Sequence, residues 1–247
     1  MEKKRLKILS YNIHKGFTAT RADFALAKMR DAIRTVGADL VFLQEVLGEH
    51  EELEKHIEQE SQFEFLADSI WPHFAYGKNA VYSEGHHGNA ILSKHAISTS
   101  ENIDITFSRF ARRGILHATM EIPEQGRLHA IVVHLGLFES ERKEQIAKLC
   151  ERIRSHVPDE EPLIIAGDFN DWLQRATPIL EETLGLKEAF MATTGSHAKS
   201  FPAWLPALRL DRVYFRGFEV MAAECLSNRP WSQLSDHAPL WVEMQFT

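Results

Sequence analysis

Short apolar runs that end in polar residues recur along this chain. The clearest is residues 163–170, where four apolar residues precede Gly167, Asp168, Phe169 and Asn170. Four apolar residues in a row predict a strand that is buried on both faces, and the glycine allows the backbone to turn at its end. Side chains at a strand end are held by a rigid element yet remain open to solvent, which suits catalytic groups.

The same pattern occurs at three further places. Residues 6–12 end in Asn12, residues 40–45 end in Glu45, and residues 234–240 place Asp236 beside His237. One such strand end is common by chance. Because these four carry amide, carboxylate and imidazole groups, together they indicate one metal-dependent active site.

Two other segments have the three- and four-residue apolar spacing of amphipathic helices. The apolar positions of the first are Leu26, Met29, Ile33 and Val36. Thr20 and Asp23 form its expected N-terminal cap, and Gly37 is expected to end it. The apolar positions of the second are Ile146, Leu149, Ile153 and Val157, and this helix is expected to end at Pro158. Further strands are predicted at residues 88–93, 113–122, 128–134, 210–216 and 239–246. Many strands with few helices predict an α/β fold in which two sheets pack face to face with helices outside.

The composition is that of an ordinary globular protein, with 44% hydrophobic and 26% charged residues. No linker, repeat or charge block divides the chain, so we expect a single domain over residues 1–247. The basic start leads into a strand pattern rather than a signal peptide, and no apolar run reaches the ~20 residues of a membrane-spanning helix. Cys150 and Cys225 predict free, buried thiols in a reducing compartment, and hence a cytoplasmic protein.

The net charge of −7 bears on possible partners. Proteins that bind duplex DNA usually present a basic face, because phosphate contacts supply most of their affinity. An acidic chain can still carry a basic groove. The charge therefore disfavours nucleic acid as a partner without excluding it.

The Gly-Asp-Phe-Asn motif of residues 167–170 and the Ser-Asp-His motif of residues 235–237 resemble the endonuclease/exonuclease/phosphatase superfamily of divalent-metal phosphoesterases. Asn12 and Glu45 match the earlier strand ends, in the family's order, so the resemblance covers nearly the whole chain. Local details at residues 14–17 and 85–90 look most like small bacterial members of the YbhP type. The resemblance implies a DNase I-like, four-layer α/β/β/α sandwich, with two mostly antiparallel sheets and an active site at one edge.

Glu45 ends a buried strand, where a carboxylate is costly unless it is paired or bound to a cation. A salt bridge or a helix cap is the alternative explanation, and Asn12 could simply be a turn residue. The resemblance makes Glu45 the principal metal ligand, with Asn12 and Asp236 beside it. Oxygen ligands of this kind favour Mg²⁺, with Mn²⁺ able to substitute.

The resemblance also implies the catalytic residues. Asp168 and Asn170 position and activate the attacking water, and His134 and His237 contact the phosphate. A histidine with this role uses a carboxylate to fix its tautomer. Asp211 lies within an apolar strand and fits that need, and its family position makes His237 its partner.

Other residues carry weaker predictions. Substrate contacts are expected at Asn89, Arg113, Trp172 and Trp204, although tryptophans in such positions are more often packing residues. We expect a mobile loop at His86 and His87, and a solvated charged patch at Arg109 and Arg112.

The sequence thus predicts a Mg²⁺-dependent phosphoesterase, specifically a phosphodiesterase that acts on a lipid headgroup or a small organic phosphate by in-line attack of water. One alternative is a DNA endonuclease or exonuclease, which the acidic charge and the lack of a Lys/Arg-rich insert disfavour. The other is a non-catalytic binding module, which should have lost at least one site residue, whereas all are present. We expect a monomer without a transmembrane segment.

Overall fold

The computed structural model describes residues 4–18, 25–50, 61–67, 70–82, 85–107 and 112–247, with the backbone alone at residues 49, 50 and 82. This part of the chain forms two six-stranded sheets. The first contains β1 (Arg5–Asn12), β2 (Leu40–His50), β3 (His73–Tyr82), β4 (Gly85–Ser93), β11 (Phe218–Cys225) and β12 (Leu240–Phe246). The second contains β5 (Ile97–Asp104), β6 (Gly114–Ile122), β7 (Gly126–His134), β8 (Leu163–Asp168), β9 (Lys187–Glu188) and β10 (Asp211–Arg216).

Helices connect several of these strands. The described ones are α1 (Leu26–Thr35), α2 (Gln62–Ala67), α3 (Glu139–His156), α4 (Ala176–Leu184), α5 (Ala189–Thr194) and α6 (Trp231–Leu234), with a short 3₁₀ turn at His14–Gly16. Within the described residues, no helix combines the length and the apolar character that crossing a bilayer requires.

Both sheets follow the same plan. Their strand orders are β11-β12-β1-β2-β4-β3 and β5-β6-β7-β8-β10-β9. The central pairs, β1 with β2 and β7 with β8, are parallel, whereas the flanking pairs are antiparallel. A parallel pair needs a crossover connection. The connection from β1 to β2 contains α1, and that from β7 to β8 contains α3.

Alternation along the strands divides the apolar side chains between layers. Leu6 and Ile8 of β1 pack between the sheets, against residues of β6 and β7. Leu9 and Tyr11 of the same strand instead pack against α1 and α6. A third cluster lies between the second sheet and helices α3 and α4. The predicted four-layer sandwich of two mostly antiparallel sheets with outer helices is confirmed.

Both predicted helices are present. The expected cap of α1, Thr20 with Asp23, lies outside the described residues. Helix α3 begins at Glu139, before its apolar stripe starts at Ile146, because its first two turns bury polar side chains. These side chains are Glu141, Arg142 and Gln145.

The apolar pattern fails to predict β3, β5 and β11, and all three lie at sheet edges. An edge strand leaves much of its surface in solvent, so it needs no continuous apolar run, and β5 is exposed along most of its length. The absence of a strong apolar run therefore does not exclude a strand at these positions.

Two smaller expectations also need correction. The mobile loop expected at His86 and His87 is wrong, because both residues lie in β4, and Nδ1 of His86 is 3.0 Å from the hydroxyl oxygen of Tyr76. Both cysteines are free and Cys150 is buried as expected, but Cys225 is only half-buried because it ends an edge strand.

Candidate active site

Four predicted site residues lie at strand ends. Asn12 ends β1, His134 ends β7 and Asp168 ends β8, while Asp211 begins the antiparallel β10. In the register of the second sheet, His134 and Asp211 are the neighbours of Asp168 on either side. Buried strands thus position these side chains at one edge of the sandwich.

Left-handed backbone occurs at the same edge. The expectation that Glu45 ends its strand is wrong, because β2 continues to His50. Glu45 has a φ of 57° and lies where the pairing of β2 with β4 is interrupted between Leu43 and Val46. Asn170, just after β8, has a φ of 50°. Non-glycine residues rarely adopt such conformations, which concentrate at functional sites. An irregularity of this kind re-aims a side chain, and Oε1 of Glu45 lies 3.5 Å from Nδ2 of Asn12.

Asp168 is at the centre of the site and is 1% exposed. Its Oδ1 accepts a 2.8 Å hydrogen bond from the backbone N–H of Asn170. Its Oδ2 lies 3.3 Å from Nδ2 of Asn12. The Nε2 atoms of His134 and His237 lie 3.5 and 3.7 Å from the same oxygen. One carboxylate oxygen is therefore surrounded by an amide and two imidazoles.

His237 is oriented by Asp211. Its Nδ1 lies 2.8 Å from Oδ2 of Asp211, which also accepts a 2.5 Å hydrogen bond from the Ser200 hydroxyl. The ring of Phe201 lies 5.0 Å from the imidazole, centroid to centroid. Because Nδ1 faces a carboxylate it carries a proton, and Nε2 faces Asp168. Asp211 and His237 are thus paired as the family position implied.

The buried groups differ in their protonation. Burial raises the pKa of Asp168 to about 6; the carboxylates of Asp211 and Glu45 act in the same direction and His237 opposes them. Burial alone would lower the pKa of His237, but Asp211 and Asp168 outweigh it and raise this pKa to about 10. Burial, together with nearby positive charges, keeps the pKa of His134 well below its usual range. At neutral pH, His237 is therefore an imidazolium, His134 is neutral and Asp168 is mostly ionised.

Two sets of residues offer metal ligands. The family-derived set is Asn12, Glu45 and Asp236; the first two are in contact, and Oδ1 of Asp236 lies 3.8 Å from Nδ1 of His14. The other set is Asp168, Asp211 and His237, whose ligand atoms all lie within 4.8 Å of one another. Burial, together with the nearby carboxylates of Asp211 and Glu45, raises the pKa of Asp168, and a bound cation offsets such an effect. A divalent ion that prefers oxygen donors fits the carboxylate and amide oxygens of these residues, whereas His237 as an imidazolium has no lone pair to offer a metal.

Two of the weaker substrate candidates donate hydrogen bonds to the backbone. Nδ2 of Asn89 is buried and donates to the carbonyl of Gly114 at 3.1 Å. Nε of Arg113 donates to the carbonyl of Leu135 at 3.2 Å. Both side chains therefore stabilise the segments that flank the site.

The tryptophans are open to solvent. Trp172 is 43% exposed and Trp204 is 65% exposed. The guanidinium of Arg142 lies 4.6 Å from the ring centre of Trp172, so one face of this ring is covered. In the expected charged patch, Arg112 is exposed, and Arg109 lies outside the described residues.

Sequence patterns did not identify two residues that support the site. Ser200 lies in a loop without periodicity, and only the fold brings its hydroxyl to Asp211. Ser235 belongs to the Ser-Asp-His motif, and this motif is the sequence feature that could have indicated its supporting role. Its hydroxyl donates to the backbone carbonyl of Asn12 at 2.8 Å, so it joins the end of β1 to the segment that carries Asp236.

Comparison with known proteins identifies one family, in sequence and in fold. Residues 9–237 match the Endonuclease/Exonuclease/phosphatase family. The chain is 48% identical over 242 residues to the uncharacterized protein YbhP of Escherichia coli K12, an alignment that spans 96% of this chain and 95% of that protein. An endonuclease/exonuclease/phosphatase from Beutenbergia cavernae has a TM-score of 0.77 at 19% identity, over 99% of this chain and 72% of that one. The mannosyl-6-phosphatase Bt3783 of Bacteroides thetaiotaomicron has a TM-score of 0.74 at 15% identity, over 98% of this chain and 100% of that one.

Proposed function

We propose a reaction from one premise: the chain belongs to the endonuclease/exonuclease/phosphatase family. Members of this family are phosphoesterases, and the carboxylates gathered at this edge of the sandwich offer a possible metal site. The proposed reaction is the Mg²⁺-dependent hydrolysis of a phosphodiester in a small organic molecule or a lipid headgroup. Mn²⁺ is expected to substitute for Mg²⁺.

The observation that carries the proposal is the placement of two histidines about Asp168, whose Oδ2 lies 3.5 Å from Nε2 of His134 and 3.7 Å from Nε2 of His237. Proton transfer near neutral pH is most efficient when the acid or base has a pKa close to the operating pH. Asp168, with its pKa of about 6, meets that condition as a proton acceptor. His237 is protonated and can donate, whereas neutral His134 adds a hydrogen bond without a second positive charge.

Each residue has a role that its surroundings allow. Asp168 accepts a proton from the attacking water, which Asn170 orients, since Asn170 is fixed by hydrogen bonds to Asp168 and to the carbonyl of Leu135. His237 donates from Nε2 to a phosphoryl oxygen as negative charge develops there. Asp211 stabilises the imidazolium form of His237. His134 contacts a second phosphoryl oxygen.

Glu45, Asn12 and Asp236 would hold the Mg²⁺ ion. A bound Mg²⁺ ion neutralises the charge on the phosphate and on the departing oxygen. Glu45 is proposed as the principal ligand because the fold maintains its left-handed backbone, which is costly for a residue with a side chain.

The substrate class rests on charge and on exposed apolar surface. The net charge of −7 disfavours a long polyanion, while Trp172 and Trp204 provide exposed rings near the site. The name of the Bacteroides thetaiotaomicron mannosyl-6-phosphatase indicates a small sugar phosphate as its substrate. A small organic phosphate is therefore preferred here over duplex DNA.

A metal-supplemented substrate screen tests the proposal. The protein is assayed with Mg²⁺ or Mn²⁺ against bis-p-nitrophenyl phosphate, p-nitrophenyl phosphate and abasic duplex DNA, at low and at physiological salt. We expect hydrolysis of the small diester with little salt dependence, and weak or no cleavage of DNA. An enzyme that makes many phosphate contacts loses affinity steeply as salt rises. Efficient nicking of DNA that collapses with added salt and in Arg113→Ala would therefore contradict the proposed substrate class.

A further inference from the structure

Loops near the candidate active site expose large apolar side chains. Leu137 and Phe138 are 57% and 67% exposed, Trp172 and Leu173 are 43% and 47% exposed, and Trp204 and Leu205 are 65% and 64% exposed. These six side chains are called the apolar rim below. Apolar side chains scattered singly over a surface need no explanation, whereas a group of them around a site marks an interaction surface.

The apolar rim belongs to the same loops that complete the site. The loop of residues 135–138 follows His134, and that of residues 169–175 follows Asp168. The loop of residues 200–209 begins with Ser200 and leads to Asp211. Whatever covers the rim therefore lies beside the opening of the site.

Two buried arginines tie these loops together. Arg142 donates through Nη1 to the carbonyls of Gly136 and Leu137, and its guanidinium lies against Trp172. Arg212 donates to the carbonyl of Arg209 at 2.8 Å and to that of Asp171 at 3.2 Å. Hydrogen bonds from charged donors are strong. The rim is thus built on a braced backbone, and its exposed side chains are not the result of a loosely packed loop.

The third loop is closed as a small hairpin. The backbone N–H of Leu208 donates to the carbonyl of Phe201 at 2.7 Å, and that of Ala203 donates to the carbonyl of Asp236 at 2.7 Å. Residues 202–208, which form its tip, read Pro-Ala-Trp-Leu-Pro-Ala-Leu and contain no polar side chain. A fixed, wholly apolar tip that projects Trp204 and Leu205 is suited to insertion into an apolar phase.

The charge around the rim differs from that of the whole chain. The protein has 35 acidic residues and a net charge of −7. In residues 135–138, 169–175 and 200–209, all of them described, the one acidic residue is Asp171, which is buried and accepts a hydrogen bond from the backbone N–H of Ala176. The exposed carboxylate of Glu139, which directly follows Phe138, pairs with Arg175 of the second loop. No unpaired exposed carboxylate on these loops therefore faces a surface of phosphate headgroups.

We propose that the apolar rim docks the protein on a phospholipid bilayer, with headgroup phosphates at the opening of the site. Tryptophan rings favour the headgroup level of a membrane, where an apolar body and a polar N–H are both accommodated. Leu137, Phe138 and Leu205 would reach the acyl boundary. That a lipid phosphate is also the substrate rests on the proposed function, whereas docking itself needs no turnover.

Vesicle flotation measures docking directly. The metal-loaded full chain is floated with phosphatidylcholine vesicles, with and without phosphatidylglycerol, at low and at high salt. We expect binding to both kinds of vesicle that persists at high salt, because apolar insertion needs no anionic lipid and is not screened by salt. Of the five tryptophans, Trp172 and Trp204 are the exposed ones, so their emission should shift to the blue and be quenched by brominated acyl chains.

A matched pair of variants localises the docking surface. Phe138→Ser combined with Leu205→Ser changes two loops and no residue assigned to the site, and should weaken vesicle binding at least about tenfold. Met221→Ser, at an apolar position on β11 that is 44% exposed, should bind like the wild type. Both variants should hydrolyse soluble bis-p-nitrophenyl phosphate at the wild-type rate. A loss of vesicle binding can therefore be separated from a failure of the proposed phosphodiesterase activity. No wild-type binding, unchanged binding of the double variant, or rim-dependent self-association without vesicle binding would each overturn the proposal.

Discussion

Asp211 lies behind His237 rather than at the open side of the site. It is 2% exposed and accepts hydrogen bonds from both the imidazole and the Ser200 hydroxyl. Its carboxylate fixes the tautomer of His237 and stabilises the imidazolium. The two residues should therefore act as one unit even though His237 alone is proposed to contact the phosphate.

This pairing predicts non-additive kinetics. His237→Ala should lower kcat on the order of 10²-fold or more, and Asp211→Asn should be similarly damaging because an amide can reverse the tautomer. The double variant should be no slower than His237→Ala alone. Initial rates on one substrate measure all three variants. Losses that multiply in the double variant would show that the two residues act independently.

Several of the residues predicted from sequence come directly after buried apolar runs. Asn12, Glu45 and Asp168 end apolar runs, and a polar group there stands out against its surroundings. Ser200 and Arg142 could not be found in this way. The first lies in an irregular loop, and the second is one of many charged residues along α3, so only the tertiary fold gives them their contacts.

The parallel pair β7 and β8 is the element that places Asp168. Gly167, one residue before it, has a φ of 143°, and a Cβ added there would lie 2.0 Å from the carbonyl oxygen of Val133. Close approach of the two strands therefore requires glycine at this position.

Gly167→Ala should destabilise the protein by roughly 3 kcal/mol or more, because strain and a backbone clash combine. Gly126→Ala is the matched control. Gly126 has a φ of 83°, but a Cβ added there would meet no described atom within 4 Å. Backbone strain is therefore the only cost of Gly126→Ala, and this cost should be about 1 kcal/mol. Urea unfolding followed by circular dichroism measures both variants. Equal costs would mean that the contact with Val133 is unimportant.

A chain of hydrogen bonds connects α3 with β6 and β7 on the outer face of the second sheet. Nε of Arg152 donates to Nδ1 of His117, whose Nε2 lies 2.8 Å from Nδ1 of His129. Nε2 of His129 lies 2.5 Å from a carboxylate oxygen of Glu161. Since Arg152 can only donate, His117 is neutral and donates through Nε2. Burial, with His129 and Arg152 nearby, lowers the pKa of His117 to about 3.

This chain predicts a loss of stability at acidic pH. The unfolded chain takes up a proton at His117 near its ordinary pKa of 6.5, whereas the folded chain does so only near 3. Stability is therefore full above pH 6.5 and falls as the pH is lowered toward 3. His117→Gln keeps a donor and an acceptor but cannot titrate, so its urea midpoint should fall less between neutral and mildly acidic pH. An equal fall in both proteins would exclude His117 as the cause.

At the scale of elements, burial decides what the sequence reveals. The central strands β7 and β8 are continuous apolar runs because both of their faces are covered. The edge strand β5 lacks such a run because solvent covers most of it. Site residues at the ends of central strands were accordingly predictable from the apolar pattern, whereas Asp236 and His237, which lie between α6 and β12, were recognised only from their motif.

Over the whole molecule, two sheets of the same plan bring the ends of their parallel pairs together. Asn12 from the first sheet contacts Asp168 from the second at 3.3 Å, so the site forms only where the sheets meet. On the loops that carry the apolar rim, the one acidic residue is the buried Asp171, and the exposed carboxylate of Glu139 beside them pairs with Arg175. The fold thus places a buried, polar candidate active site beside the exposed side chains of the apolar rim.

The most direct test of the proposed metal-dependent hydrolysis is the dependence of turnover on Mg²⁺ in the wild type and in Glu45→Gln. Glutamine keeps the shape of the side chain but removes the charge that offsets the cost of desolvating a cation. The rate of bis-p-nitrophenyl phosphate hydrolysis is measured as Mg²⁺ is added to metal-free protein. We predict that the wild type is inactive without metal and saturates with Mg²⁺, and that Glu45→Gln stays inactive. Normal turnover of Glu45→Gln with a normal Mg²⁺ dependence would contradict the assignment of Glu45 as the principal metal ligand.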